Sequence, residues 1–169
     1  MKNGFTLIEL LVVMAVLGVL AGIMILVVNP LEQLGRAQDS GRKSTVGQIG
    51  HGFAAYYTIH GARYPASDSN WIATLQTAGE LKSAPQNPAY ITGVTNCTTN
   101  VVNGYCYSAS GTPVEVVVYV RLESTSEISK CPAGSPLAFA VWSSVDGRAG
   151  VVCKTAGSEP APGAQMFVE

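Results

Sequence analysis

Charge is scarce in this sequence: Asp, Glu, Lys and Arg make up 12% of its 169 residues, and 10 basic side chains against 11 acidic ones leave a formal net charge of −1. Without a basic excess there is no chain-wide electrostatic footprint for nucleic acid. Histidine is limited to His51 and His60. Neither has a cysteine or carboxylate companion at ligand spacing, so no metal site is expected and both read as ordinary helix residues. A nucleophile elbow, a glycine-rich phosphate loop and a paired-histidine motif are also missing, so catalysis and a bound cofactor are not expected. The serines of 124–129 and Ser143-Ser144 have no base nearby and read as loop and strand surface. The four cysteines, Cys97, Cys106, Cys131 and Cys153, all lie in the C-terminal half without C-x-x-C spacing. That argues against zinc or dithiol redox chemistry and for disulfides in an oxidising compartment. Of the three possible connectivities, Cys97 with Cys106 and Cys131 with Cys153 is preferred, because neighbouring loops close at the smallest entropic cost.

What is abundant is apolar surface, 47% of the residues, and it is concentrated in the first thirty positions. Positions 10–28 carry no charged or strongly polar side chain. As a helix this run spans roughly 28 Å, enough to cross a hydrocarbon core and longer than the apolar region of a secretory signal peptide. Lys2 precedes it and Arg36, Arg42 and Lys43 come after it at some distance, which gives only a weak orientation signal.

Ahead of the run stands Met1-Lys2-Asn3-Gly4-Phe5-Thr6-Leu7-Ile8-Glu9-Leu10, a short basic leader ending in glycine, with a lone carboxylate at the opening of the apolar stretch. This string resembles the class III signal of type IV pilins and pseudopilins. The resemblance implies that a membrane-embedded prepilin peptidase cuts between Gly4 and Phe5 and methylates the new N-terminus at Phe5. Glycine suits such a cut, because an extended backbone can approach an active site without a side-chain clash. Glu9 then becomes the fifth residue of the mature chain. A carboxylate deep in lipid costs about 2.5 to 3.5 kcal/mol and so normally has a partner. The resemblance supplies one: the N-terminal amine of a neighbouring subunit, which makes Glu9 the register and assembly residue. The alternative is that Glu9 sits at headgroup level and favours the positive end of the helix dipole unaided.

Asn29-Pro30 predicts a kink or melted turn where the helix leaves the bilayer. Gly35, Gly41, Gly47, Gly50 and Gly52 weaken helix beyond that break, yet Val46, Ile49, Phe53, Tyr56, Tyr57 and His60 recur at helical spacing and predict an amphipathic helix lying on a core. Residues 42–65, ending in Gly61-Ala62-Arg63-Tyr64-Pro65, resemble the post-membrane helix of the same family with one extra residue between Gly61 and Tyr64. A short helix is expected over 71–81, broken by Pro85 and Pro88. Residues 92–103 have loop composition, and within them Asn96-Cys97-Thr98 is formally a glycosylation acceptor. Strands are expected over 105–108, then through Gly111-Thr112-Pro113 into 114–122, where Val114, Val116, Val118, Val120 and Leu122 form one aliphatic face. Strands over 139–144 and 148–153 flank Asp146-Gly147, a tight-turn dipeptide whose register sets Trp142 opposite Val151. The proline-bearing segment 158–169 reads as surface.

These elements predict an α+β fold: a long N-terminal helix, half in the membrane and half amphipathic, packed on a small antiparallel sheet of three to four strands. The expected divisions are a leader over 1–4, a transmembrane and assembly helix over 5–29, an amphipathic helix over 30–62 and a globular head over 63–169. The resemblance then implies a structural subunit of a pilus-like filament, a helical homopolymer serving attachment, motility or DNA uptake. Its partners are copies of itself, prepilin peptidase, an inner-membrane assembly platform with its motor, and membrane lipid before assembly. Its expected location is the cytoplasmic membrane as a single-pass anchor with an exported head, and the cell surface or exterior after assembly. A secretion pseudopilin is the alternative within the class, disfavoured because Asp146, Glu159 and Glu169 are scattered where secretion pseudopilins cluster acidic calcium ligands. From a different class comes a membrane-tethered adhesion or DNA-binding module that does not self-assemble. A nucleic-acid groove needs aromatic residues beside basic ones, and Tyr119 with Arg121 is too little.

Overall fold

The computed structural model describes residues 4–91, 93–94, 96–110 and 115–168. The expectations placed on Lys2, Gly111 to Pro113, Val114 and Glu169 lie outside these residues. Contacts divide the chain into two compact units, Met1–Leu34 and Gly35–Glu169.

The first unit is built on α1 (Leu7–Val28) and the opening turn of α2 (Pro30–Ile59). Between the two helices Asn29 adopts a left-handed conformation, φ 39° and ψ 78°. Helical backbone is disfavoured before proline, and asparagine tolerates the left-handed region better than most residues. Pro30 then opens α2, where its missing N–H leaves nothing unsatisfied, and the Asn29 carbonyl accepts from Glu32 N–H at 3.1 Å. The interruption is thus one residue long.

In the second unit α2 runs on to Ile59 through all five glycines and buries Val46, Ile49 and Phe53. At Gly50 the glycine is required by its neighbour: a Cβ there would fall inside the Trp142 indole. The Trp142 ring stacks 6.1 Å from that of Phe53, which also stacks on Tyr107 at 4.8 Å and Trp71 at 5.7 Å. Gly50→Ala is therefore expected to destabilise the head by about 1 to 3 kcal/mol through overpacking. Gly47→Ala, with nothing within 4 Å of the added methyl, is expected to stabilise it by up to about 1 kcal/mol. Chemical denaturation of both variants reads the opposite signs. Beyond Ile59 the chain turns through Gly61 and Ala62, both at positive φ, and His60 stands past the helix end with its ring stacked on Tyr56.

Five strands, β1 (Cys106–Ala109), β2 (Val116–Arg121), β3 (Leu137–Ser143), β4 (Arg148–Lys154) and β5 (Phe167–Val168), form one antiparallel meander in chain order. The α+β fold is as expected. The strand beyond the expected three to four is β5, drawn from the segment read as surface. Among the described residues two short helices complete the head. Of these, α3 (Trp71–Thr77) stops short of position 81 because Gly79 turns left-handed, and α4 (Thr125–Ile128) sits in the serine-rich stretch read as loop.

The β3–β4 connection differs from the two-residue turn expected at Asp146-Gly147. Ser143 pairs with Arg148, so four residues form the loop, and Trp142 stands opposite Ala149 while Val151 stands opposite Ala140. Ser143 Oγ accepts from Asp146 N–H at 3.3 Å and the Ser143 carbonyl accepts from Gly147 N–H at 2.9 Å, closing the wider turn. The shift is two positions, so every side chain keeps its face.

Both sheet faces are apolar. Val116, Val118, Val120, Leu122, Ala140, Trp142 and Val151 meet α2 and α3 in the main core, while Val117, Tyr119, Phe139, Val141 and Val152 form a second cluster on the opposite side.

Candidate functional site

The N-terminal segment carries its chemistry within six residues. A Cβ added at Gly4 would meet nothing within 4 Å beyond its chain neighbours, and Phe5 is 86% exposed. Thr6 is the N-cap of α1, and Glu9 is its third helical residue. Thr6 N–H and its hydroxyl each donate to Glu9 Oε2 at 2.9 Å, and Glu9 N–H donates back to Thr6 Oγ1 at 3.3 Å. This reciprocal capping box satisfies backbone donors that a helix start otherwise leaves open. The Thr-x-x-Glu spacing that announces it was present in the sequence. Within one chain Glu9 therefore already has polar partners, and among the described residues the one that hydrogen-bonds it, Thr6, is uncharged.

Behind Glu9, the window Leu7–Met24 of α1 is long and apolar enough to cross a membrane, and none of it is buried. Leu10, Val13, Leu17 and Leu20 are all exposed. Burying a side chain of that size is worth about 1.5 to 3 kcal/mol. A surface so extensive needs lipid or protein around it.

The head holds a second arrangement that the sequence did not announce. Asp39, Arg42 and Glu123 are 0%, 2% and 6% exposed. Arg42 donates through Nη1 to Asp39 Oδ1 at 2.5 Å and through Nη2 to Glu123 Oε1 at 2.7 Å, to Gln38 Oε1 and to the Ala89 carbonyl. Its guanidinium lies 4.0 Å from the Tyr90 ring centre. Asp39 also accepts from the backbone N–H groups of Glu123 and Ser124, and Glu123 Oε2 from that of Ile91. One buried cation thus ties α2 to the end of β2 and to the 89–91 segment. Beside it Glu127 binds Lys43 at 2.7 Å and Lys130 at 3.3 Å. Burial opposes the charge of Glu127, but the two lysines outweigh it and hold its carboxyl below the usual range. These groups are matched to one another, as structural ion pairs are.

The four cysteines form Cys97–Cys106 and Cys131–Cys153, with Cα separations of 6.1 and 5.5 Å. Asn96, the formal glycosylation acceptor, is engaged at both ends of its amide: its Nδ2 donates to the Gly104 carbonyl, and its Oδ1 accepts from Tyr90 O–H and Cys97 N–H. The amide is a structural pin of the loop. Among the described residues no three His, Cys, Asp or Glu side chains are grouped to hold a metal ion.

No curated protein and no solved structure matches the chain. Residues 1–25 match the family model of the prokaryotic N-terminal methylation motif, so the chain carries the class III prepilin leader typical of type IV pilins and pseudopilins.

Proposed function

We propose that the chain is the precursor of a structural subunit of a type IV pilus-like filament. Prepilin peptidase removes residues 1–4, Phe5 becomes the methylated N-terminus, and α1 first anchors the subunit in the cytoplasmic membrane and then packs against copies of itself as an assembly platform and its motor draw it out. Residues 5–29 serve as anchor and assembly helix, 30–62 as the amphipathic continuation, and 63–169 as the exported head. The observation that carries the reading is the leader motif leading directly into an apolar helix, unburied over Leu7–Met24, with Glu9 at its entrance.

The capping box sharpens the role of Glu9. Removal of residues 1–4 leaves the Thr6 amide in place, so the cap persists in the mature chain, and a carboxylate oxygen remains to receive a cation. The partner proposed is the Phe5 amine of a neighbouring subunit, whose charge offsets that of Glu9 as both leave water.

The test separates the two roles. Glu9→Gln keeps a capping acceptor, since glutamine serves at this position of the box, and removes the charge. Glu9→Ala removes both, at a capping cost of about 1 kcal/mol. The native protein is expected to show the mass of a chain starting at Phe5 with one added methyl group, and both variants are expected to lose filaments in electron micrographs while remaining in the membrane. An unprocessed chain would overturn the leader assignment. Normal filaments from Glu9→Gln, with loss only in Glu9→Ala, would reduce Glu9 to a helix cap.

A further inference from the structure

The two apolar sheet faces are covered by different means. The α2 face is covered by a helix that runs directly into the buried Asp39–Arg42–Glu123 node. The opposite face is covered by two irregular pieces. The first is the loop around Cys97, held covalently to β1 by the Cys97–Cys106 disulfide. The second is the strap 155–166 between β4 and β5. Glu159 of the strap meets the Tyr119 hydroxyl of β2, Gly163 lies over Ser143 of β3, and Phe167 just beyond lies over Gly150 of β4. Tyr119, Ser143 and Gly150 point to the same face by their pairing register. The strap thus crosses the central strands of the sheet.

Its polar anchorage is concentrated on one side chain. Glu159 Oε1 accepts from Thr98 N–H at 2.6 Å and Thr98 O–H at 3.1 Å, and Oε2 accepts from Thr99 O–H at 2.9 Å and Tyr119 O–H at 2.8 Å. Four donors converge on one carboxylate. Two of the donor residues directly follow Cys97, so Glu159 joins the reversible half of the cover to the covalently fixed half. The strap's root is fixed as well, at Cys153 through its bond to Cys131. At its far end Gln165 N–H donates to Asp146 Oδ2 at 2.9 Å, Arg148 lies 4.2 Å from the Phe167 ring centre, and β5 contributes a two-residue pairing.

The geometry points to Glu159 as an acid-released latch: protonating its carboxylate frees the strap 155–166 and uncovers the second apolar face of the sheet while the sheet itself stays folded. A neutral carboxyl carries a proton on one oxygen and cannot accept four hydrogen bonds with the strength of an anion. Among the described residues Tyr119 is the titratable group whose polar atom meets Glu159; Thr98 and Thr99 do not titrate, and Asp146 and Arg148 are the charged groups facing the far end of the strap.

Burial works against the charge of Glu159, but hydrogen bonds from Tyr119, Thr99 and Thr98 outweigh it and hold the carboxyl below its usual value of 4.5. A depressed carboxylate contributes its stabilisation fully above the unfolded value and loses it as pH falls through the lower folded value. The strap is therefore closed at neutral pH and opens below the ordinary glutamate range.

Hydrogen exchange of the full chain in detergent micelles, expressed as protection factors at pH 7 and about pH 3.5, tests this. In the wild type, protection over 155–166 is expected to fall roughly tenfold to a hundredfold, the scale of losing charge-assisted hydrogen bonds, while β2, β3 and β4 keep theirs. Glu159→Gln is expected to abolish the pH step, and Asp146→Asn to retain it. A wild-type strap equally protected at both values, a step that survives in Glu159→Gln, a step abolished by Asp146→Asn, or loss of strap and sheet protection together would each overturn the latch.

Discussion

Replacing Arg42 by alanine is expected to cost the head roughly 3 to 5 kcal/mol, the penalty for leaving buried carboxylates without their counter-ion. Asp39 and Glu123 converge on one guanidinium, and both side chains are about as buried as a side chain can be. Without the cation, two negative groups would face each other out of water, still held by the backbone amides of Ile91, Glu123 and Ser124. Lysine is not a substitute. The planar fork reaches Asp39 through one nitrogen and Glu123, Gln38 and the Ala89 carbonyl through the other, and its flat face lies on Tyr90; a single ammonium cannot do both. The comparison is Lys43→Ala, which removes one partner of a more exposed pair and is expected to cost no more than about 1 kcal/mol. Denaturation of the full chain in detergent, followed by the near-UV signal of the buried Trp71 and Trp142, measures both. An Arg42→Ala head within about 1 kcal/mol of wild type would mean that water enters the node and solvates the carboxylates.

How much of this was legible in the sequence depended on how far apart the participating residues lie. The leader, the apolar run and the Asn29-Pro30 break are local, and each is carried by consecutive residues. Thr6 and Glu9 are three positions apart, so the capping box was legible as well, although a carboxylate at the head of an apolar helix is accounted for by its charge alone without those hydrogen bonds. The strands were legible from alternation, and the β3–β4 register error was two positions because turn length is set by Ser143 and Asp146 contacts that the Asp146-Gly147 dipeptide does not encode. Arg42 and Glu123, 81 positions apart, had no linear signal connecting them. The segment after β4 departs from expectation for the same reason: its proline content marks irregular backbone, but whether irregular backbone floats or straps a sheet is decided by Glu159 finding Thr98, 61 positions away. The five glycines of α2 argued against a helix by propensity. Tertiary packing overrode them, and at Gly50 the missing side chain is what admits Trp142.

The second large effect is expected in α1. Leu17 lies near the middle of the helix and is exposed among other apolar side chains. An arginine there costs about 2.5 to 3.5 kcal/mol at the centre of a membrane helix, which at about 1.4 kcal/mol per decade lowers insertion by roughly two orders of magnitude. Leu17→Arg is therefore expected to remove the chain from the membrane fraction and to abolish filaments, while Leu17→Ile does neither. The head carries a different expectation. Leu17 belongs to the unit Met1–Leu34, and the hydrophobic core clusters, the sheet and the disulfides all lie in the unit Gly35–Glu169. The disulfides and near-UV signature of the Leu17→Arg head should accordingly match wild type once the protein is held in detergent. Taken with Glu9→Gln, the substitution separates anchoring from assembly. Loss of filaments with the membrane anchor intact in Glu9→Gln, and loss of both in Leu17→Arg, is the pattern of a subunit that uses lipid as its reservoir and its own copies as its final surroundings. A tethered binding module would instead need only the anchor, and Glu9→Gln would leave it unchanged.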